Sequence, residues 1–153
     1  MAAIGESDYR NGARERLEEA SILMQREQWA GCVYLAGRAV ESMLRAIIWK
    51  GDPDYATGKK HLRTGHDLRD MLKLTRKLNA IREDMTMESI SAQVQKVARL
   101  WSNNMRFWPT AKLKREWYRL RVIRGKRTIK KAVEQYYDAC SAVVKRSERI
   151  WKR

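Results

Sequence analysis

The stretch from Ala30 to Lys50, AGCVYLAGRAVESMLRAIIWK, constrains the fold of this chain most strongly. On a helix at about 100° per residue, its polar and amphipathic side chains share one arc, and apolar or small residues occupy the rest of the circumference. The residues of that arc are Tyr34, Arg38, Glu41, Ser42, Arg45 and Trp49. A surface helix shows the reverse pattern, a narrow apolar stripe on a polar cylinder. The sequence therefore predicts a central helix that other helices surround on most sides.

Five further segments space their apolar residues as helices do, and no segment has the alternation typical of a strand. They cover residues 8–28, 65–78, about 86–101, 110–124 and 128–151. With 153 residues and only two prolines, the chain has the length of one domain and permits long helices nearly everywhere. We therefore predict a single all-α domain over residues 1–153, an up-and-down bundle of five to six helices.

Local signals give the expected ends of these helices. A tight connection near Gly31 should place the first helix antiparallel to the central one. Gly51 should end the central helix, and residues 51–65 then form a loop with a basic run of Lys59, Lys60, His61 and Arg63. We expect Asp67 or Thr64 to cap the third helix, Thr110 to cap the fifth and Gly125 to end the fifth.

The charge of the chain is high and unevenly distributed. The net charge is +15, yet residues 1–58 carry two more acidic than basic residues. Between Arg106 and Lys131 there are eleven basic residues and one acidic residue, Glu116. Such a density attracts polyanions, and nucleic acid is the commonest of these inside cells. The alternative is a solvated basic surface without a specific ligand.

The basic segment supplies a candidate nucleic-acid site. Helical spacing places three cations on one outer ridge of the fifth helix, and the turn around Gly125 presents three more. Trp108 and Tyr118 lie beside basic residues and are candidates for stacking on bases. The candidate contacts to nucleic acid, including one cation at the end of the fourth helix, are Arg106, Lys112, Arg115, Arg119, Arg124, Lys126 and Arg127.

The polar arc of the central helix is a second candidate site. The spacing of Arg38, Glu41 and Arg45 allows ion pairs within the helix, so the arc is either a solvated seam or a cleft wall whose arginines face phosphate. His66 is either a structural residue at a helix start or a catalytic base. The residues match no metal site, phosphate-binding loop or nucleophile motif, so we expect no metal and no cofactor. Without a signal sequence or membrane span, we expect a cytoplasmic protein without a membrane partner.

Three stretches in this order resemble the HEPN superfamily of helical nucleotide- and RNA-associated domains: AGRAVESMLRAII, GHDLRDML and LWSNNMRF. The resemblance implies a bundle of four or five helices, paired as a homodimer or with a second protein. It also implies a site between the central helix and the end of the fourth helix, with Glu41 and Arg106 at the family's polar positions. Asn103 and Asn104 of the third stretch, with His66, complete this candidate cleft.

The chain departs from the motif of HEPN ribonucleases, an arginine followed by histidine after four to six residues. From Arg106 those positions read Ala111, Lys112 and Leu113, and no histidine follows His66. General acid–base catalysis typically accelerates a reaction by about 10²–10⁴-fold. The missing histidine therefore argues against the usual ribonuclease activity.

Three hypotheses follow. The first is a non-catalytic, dimeric HEPN-like protein that binds RNA or another nucleic acid, in a prokaryotic defence or toxin–antitoxin setting that the resemblance suggests. The second is a divergent metal-independent ribonuclease that uses Arg106, Glu41 and His66. The third is an interaction subunit for a partner of the nucleotidyltransferase type.

Overall fold

The computed structural model describes residues 4–52, 54, 65–78 and 85–152, without the side chains of residues 85–87. Six α-helices and no strand occur in these ranges, as the apolar spacing predicts. Two 3₁₀ helices, Asn103–Phe107 and Glu148–Lys152, follow α4 and α6. The helices are α1 (Glu6–Gln25), α2 (Trp29–Gly51), α3 (Leu68–Lys77), α4 (Met85–Leu100), α5 (Thr110–Arg119) and α6 (Ile129–Ser147).

The central position of α2 is confirmed. It packs against α1, α3, α5, α6 and the 3₁₀ helix at Asn103–Phe107, and fourteen of its residues are buried. Burial of its apolar circumference supplies the main driving force for the bundle. The chain itself covers most of α2, and the homodimer that the resemblance implies stays a proposal.

Helices α1 and α2 form an antiparallel hairpin, as expected. The hydroxyl of Ser42, late in α2, donates to the carbonyl of Tyr9, early in α1, at 2.7 Å. The helix α1 ends at Gln25, three residues earlier than the sequence predicts. Glu27 has a left-handed backbone (φ 58°), and the amide of Gln28 donates to the carbonyl of Leu23 at 2.9 Å. This Schellman motif satisfies the last carbonyls of α1 without the usual glycine.

The second half of the chain corrects both expected boundaries of the fifth helix. Helix α4 ends at Leu100, and Pro109 caps α5, so Thr110 is the first helical residue and not the cap. Helix α5 ends at Arg119, before Gly125, because Arg121 (φ 60°) closes a second Schellman motif in which the amide of Val122 donates to the carbonyl of Trp117.

The cap expected for α3 is confirmed. The carboxylate of Asp67 accepts hydrogen bonds from the amides of Arg69 and Asp70 and caps α3, and Thr128 caps α6. The alternative cap Thr64 and the basic run at 59–63 lie outside the described residues.

A close approach fixes α2 against the end of α4. The indole of Trp101 lies against Gly37, where an added Cβ would be 2.0 Å from the ring atom Cδ1. The indole nitrogen donates to the carbonyl of Tyr34 at 3.1 Å. Only glycine leaves room for this ring, which is 6% exposed. Trp101 thereby sets the position of the 3₁₀ helix that follows it.

The two ends of the described chain are joined by ion pairs. The carboxylate of Glu148 accepts from Arg14 Nε at 2.7 Å and from Arg10 Nη2 at 3.3 Å. The Arg10 guanidinium also lies 4.4 Å from the ring centroid of Trp151. Partial burial acts to raise the pKa of Glu148, but the hydrogen bonds and charges of Arg14 and Arg10 outweigh it, and the pKa is lowered.

Candidate nucleic-acid interface

The polar arc of α2 carries a charged cluster with a buried carboxylate at its centre rather than a solvated seam. The side chain of Glu41 is 4% exposed. Its Oε2 accepts from Arg38 Nη1 at 2.5 Å and lies 3.7 Å from Arg45 Nε, while Oε1 lies 2.6 Å from His66 Nδ1. We call Arg38, Glu41, Arg45 and His66 the Glu41 cluster. The interpretation of a solvated seam is wrong at Glu41 and Arg45, because both side chains are buried among packed helices.

The turn before α3 holds His66 over the cluster. Gly65 has a left-handed backbone (φ 51°), and its carbonyl accepts a hydrogen bond from Arg45 Nη2. Since a carboxylate only accepts, the short contact to Glu41 places a hydrogen on Nδ1 of His66. In the neutral ring, Nε2 is then an acceptor. The half-exposed imidazole therefore has the tautomer and the support that a general base needs.

Two clefts meet at His66. One, of about 330 Å³, contains the whole Glu41 cluster together with Tyr9 and Ser42. The other, of about 290 Å³, contains His66, Trp101 and Asn103. The structure thus brings Asn103 beside His66, as the expected cleft requires.

Two residues of the expected cleft are placed elsewhere. Arg106 and Asn104 are exposed and line neither of these clefts. The guanidinium of Arg106 instead lies 4.6 Å from the ring centroid of Phe107, which is 73% exposed. The two side chains lie at the surface of the 3₁₀ helix.

A larger cleft of about 480 Å³ lies between α4, the turn after α5 and α6. Its floor is apolar and includes Leu120 and Val122, and no carboxylate lines it within the described ranges. We call it the basic groove because five cations line it: Lys96, Arg99, Arg121, Arg124 and Arg127. Cations gathered without acidic partners repel one another, and a bound polyanion relieves that repulsion.

Arg124 and Arg127 were expected at a nucleic-acid site, whereas Lys96, Arg99 and Arg121 are additions from the structure. Arg99 Nη2 donates to the carbonyl of Leu120 at 3.3 Å, which ties α4 to the turn after α5. Lys96 and Arg99 are exposed one turn apart on α4, away from its buried residues. That exposed pair is the signal in the sequence that could have located the other wall of the groove.

The remaining expected contacts lie outside the basic groove. Lys126 is exposed in the turn after α5. The three cations on α5 form what we call the α5 ridge, Lys112, Arg115 and Arg119. Arg119 is paired with Glu116 at 3.0 Å, and the amine of Lys112 lies 5.4 Å from the ring centroid of Trp108. Trp108 is half-buried, and Lys112 covers part of its ring. Tyr118 is 60% exposed, so its ring is open to stacking on a base.

Other reactive groups of the described chain are structural. Burial raises the pKa of Cys32 to about 12 and also raises that of Cys140, so both thiols stay protonated. Within the ranges that the structure covers, no three His, Cys, Asp or Glu residues are grouped to hold a metal ion. No helix in these ranges is both long and apolar enough to cross a membrane.

Comparison of the chain with models of protein families gave no match, and searches of curated proteins and of solved structures gave none either. The resemblance to HEPN domains therefore rests on the three stretches of sequence alone.

Proposed function

We propose that this chain is a HEPN-like helical bundle that binds RNA or another nucleic acid without cleaving it. One observation carries the proposal: the basic groove gathers five cations around an apolar floor and, among the residues that the structure describes, has no acidic residue in its lining. Phosphates placed in this groove would neutralise that charge and release counterions, the main source of affinity for nucleic acid. The apolar floor suits sugar and base faces rather than a small inorganic anion.

The backbone of Arg121 supports this assignment. A left-handed conformation costs a residue with a side chain about 1–2 kcal/mol, and glycine is the usual choice at this position of a Schellman motif. An arginine there sacrifices stability while adding a charge to the groove. Local rules of this kind are broken most often at functional sites.

Paired binding assays test the proposal. The groove variant is Arg99→Gln/Arg124→Gln/Arg127→Gln. It is compared with the α5-ridge variant Lys112→Gln/Arg115→Gln/Arg119→Gln, which also loses three positive charges. In gel shifts with one labelled RNA, we expect the groove variant to bind about tenfold or more weakly and the ridge variant to lose less. Absence of binding by the wild type, or a larger loss in the ridge variant, would contradict the groove as the site.

The Glu41 cluster favours a second candidate function, a metal-independent ribonuclease with His66 as the base. The observation behind it is the 2.6 Å contact that supports Nδ1 of His66 and leaves Nε2 to accept a proton from a ribose hydroxyl. Against it, Arg106 does not line the clefts at His66.

The RNA used for binding also tests for cleavage. The first proposal expects intact RNA with or without added metal. Cleavage that His66→Gln abolishes, with affinity and helical content unchanged, would establish the second candidate in its place. If Arg106→Ala abolishes cleavage and His66→Gln does not, the active site lies at Arg106, the residue that matches the arginine of the HEPN motif.

A homodimer, a cytoplasmic location and a role in prokaryotic defence remain parts of the proposal that come from the sequence.

An interaction subunit for a nucleotidyltransferase-type partner would be expected to expose a large apolar patch. Among the described residues, the large apolar side chains that are exposed are single ones on separate segments: Ile4, Ile22, Phe107 and Tyr118. This distribution gives that alternative little support.

A further inference from the structure

The basic groove is connected to another basic cleft through one residue. Arg99 lines the groove on one side of α4 and also lines a cleft of about 360 Å³ between α3 and α4. The described lining of this second cleft is Arg69, Leu72, Lys73, Arg76, Gln95 and Arg99. It contains four cations and no carboxylate, the same chemistry as the groove.

The cations of α3 are arranged in a row along this second cleft. Arg69, Lys73 and Arg76 are separated by four and three residues, so they share one face of the helix. At 1.5 Å per residue the row is about 10 Å long. All three side chains are exposed, while Leu72 between them is buried against the core. We call these three residues the α3 row.

We propose that single-stranded RNA follows one continuous path along the α3–α4 cleft and the basic groove, crossing α4 at Arg99. This inference rests on the proposed function and specifies the form and the course of its ligand. The hydrogen bond from Arg99 to the carbonyl of Leu120 holds the guanidinium where the two clefts meet. The basic part of the path ends at Arg69, because the next cleft contains the carboxylate of Asp67.

The geometry favours a single strand over a duplex. A helix with its side chains is about 10–12 Å across, so a ligand that enters recesses on both sides of α4 must bend within that length. Duplex nucleic acid is stiff over far longer distances, with a persistence length of about 50 nm for DNA. A single strand bends freely and can place successive phosphates beside the α3 row and the groove cations.

The test measures affinity against oligonucleotide length. Labelled oligouridines of about 4 to 16 nucleotides, the range of sites on single strands, are titrated with wild type and with Arg69→Gln/Lys73→Gln/Arg76→Gln. The matched control is Lys145→Gln/Arg149→Gln/Lys152→Gln, which removes three exposed cations that line neither cleft. A duplex RNA of matched length serves as competitor, and circular dichroism checks the fold of each variant.

We call Arg69→Gln/Lys73→Gln/Arg76→Gln the α3-row variant. Its affinity should stop rising at a shorter oligonucleotide length than the affinity of the wild type does. For the longest oligonucleotide, the salt slope of that variant should be flatter by about 2, since each lost phosphate contact contributes about 0.7. The control variant should keep the length dependence of the wild type, and the duplex should compete poorly.

Each of three outcomes contradicts one part of the proposal. If the α3-row variant matches the control at every length while the groove variant still loses affinity, the path is wrong and the proposed function stands. If the duplex competes as well as the single strand, the single-stranded form is wrong. If the wild type binds no oligonucleotide in a salt-dependent way, the proposed function itself fails.

Discussion

Arg121 and Glu27 occupy equivalent positions with different surroundings. Each has a left-handed backbone at the end of a helix, φ 60° and φ 58°, where a glycine would relieve the strain. Arg121 lines the basic groove, whereas Glu27 is exposed at the α1–α2 turn and lines none of the described clefts. The pair therefore separates the conformational cost of a residue from its contribution to binding.

We predict that Arg121→Gly and Glu27→Gly each raise the free energy of unfolding by about 0.5–1 kcal/mol, because glycine removes the left-handed strain. Arg121→Gly should also weaken RNA binding about fivefold, or about 1 kcal/mol, through the lost charge. Glu27→Gly should leave affinity unchanged. Urea unfolding and anisotropy titrations measure both effects, and equal RNA affinity of Arg121→Gly and wild type would remove Arg121 from the site.

Single residues also explain why sequence analysis misplaced the ends of α1 and α5. The rule that glycine marks the end of a helix located Gly125 and passed over Arg121.

The contact between Glu41 and His66 joins residues 25 positions apart, and pairing at that distance depends on how α3 packs against α2. The polar arc contains the three α2 residues of the Glu41 cluster, but the burial of two of them required the folded structure.

At the scale of the element, α2 illustrates what a periodic pattern can predict. Its apolar circumference indicated a surrounded helix, and five other elements pack against it. The pattern could not identify the one point where α2 requires the absence of a side chain. Gly37 is that point, because the rigid indole of Trp101 occupies the space of its Cβ.

We predict that Gly37→Ala lowers the free energy of unfolding by about 3 kcal/mol, because the new methyl group must displace a rigid buried ring. Gly12→Ala is the control: its Cβ would lie 3.5 Å from the hydroxyl of Ser42, an ordinary contact, within α1. That variant should be stabilised by about 0.5–1 kcal/mol. Chemical denaturation compares the two, and similar stabilities would contradict the close approach at Gly37.

At the scale of the whole molecule, Glu148 links the C-terminal 3₁₀ helix to α1 and makes stability depend on pH. Because its folded-state pKa is lowered, its contribution is present in the ionised range and is lost as the pH falls below about 4. We predict that Glu148→Gln costs about 1 kcal/mol at neutral pH, as expected for a half-exposed ion pair, and that the difference from wild type disappears in acid.

Thermal unfolding between about pH 3 and pH 7 measures this convergence. Glu19→Gln, which removes an exposed pair with Arg16, is the control and should cost less than about 0.5 kcal/mol. A difference between Glu148→Gln and wild type that stays constant with pH would rule out the lowered pKa as its cause.

The basic groove shows what the density of charge along the chain does not reveal. Charge density along the chain located the segment from Arg106 to Lys131, and the groove contains three cations of that segment. Its other wall comes from Lys96 and Arg99, which belong to a segment without unusual charge. Which cations face a common cleft depends on the packing of α4 against α6 and on where α5 ends.

The measurement that tests the central claim most directly is the salt dependence of RNA affinity in the wild type and the groove variant Arg99→Gln/Arg124→Gln/Arg127→Gln. For an oligonucleotide short enough to occupy the basic groove alone, the five cations of the groove neutralise about five phosphates, and log affinity should fall against log salt with a slope of roughly −3.5 for a single strand or roughly −4.5 for a duplex. The groove variant should bind a single strand more weakly, with a slope of roughly −1.4. A wild-type slope near zero, or the same slope in both proteins, would contradict nucleic-acid binding in the basic groove.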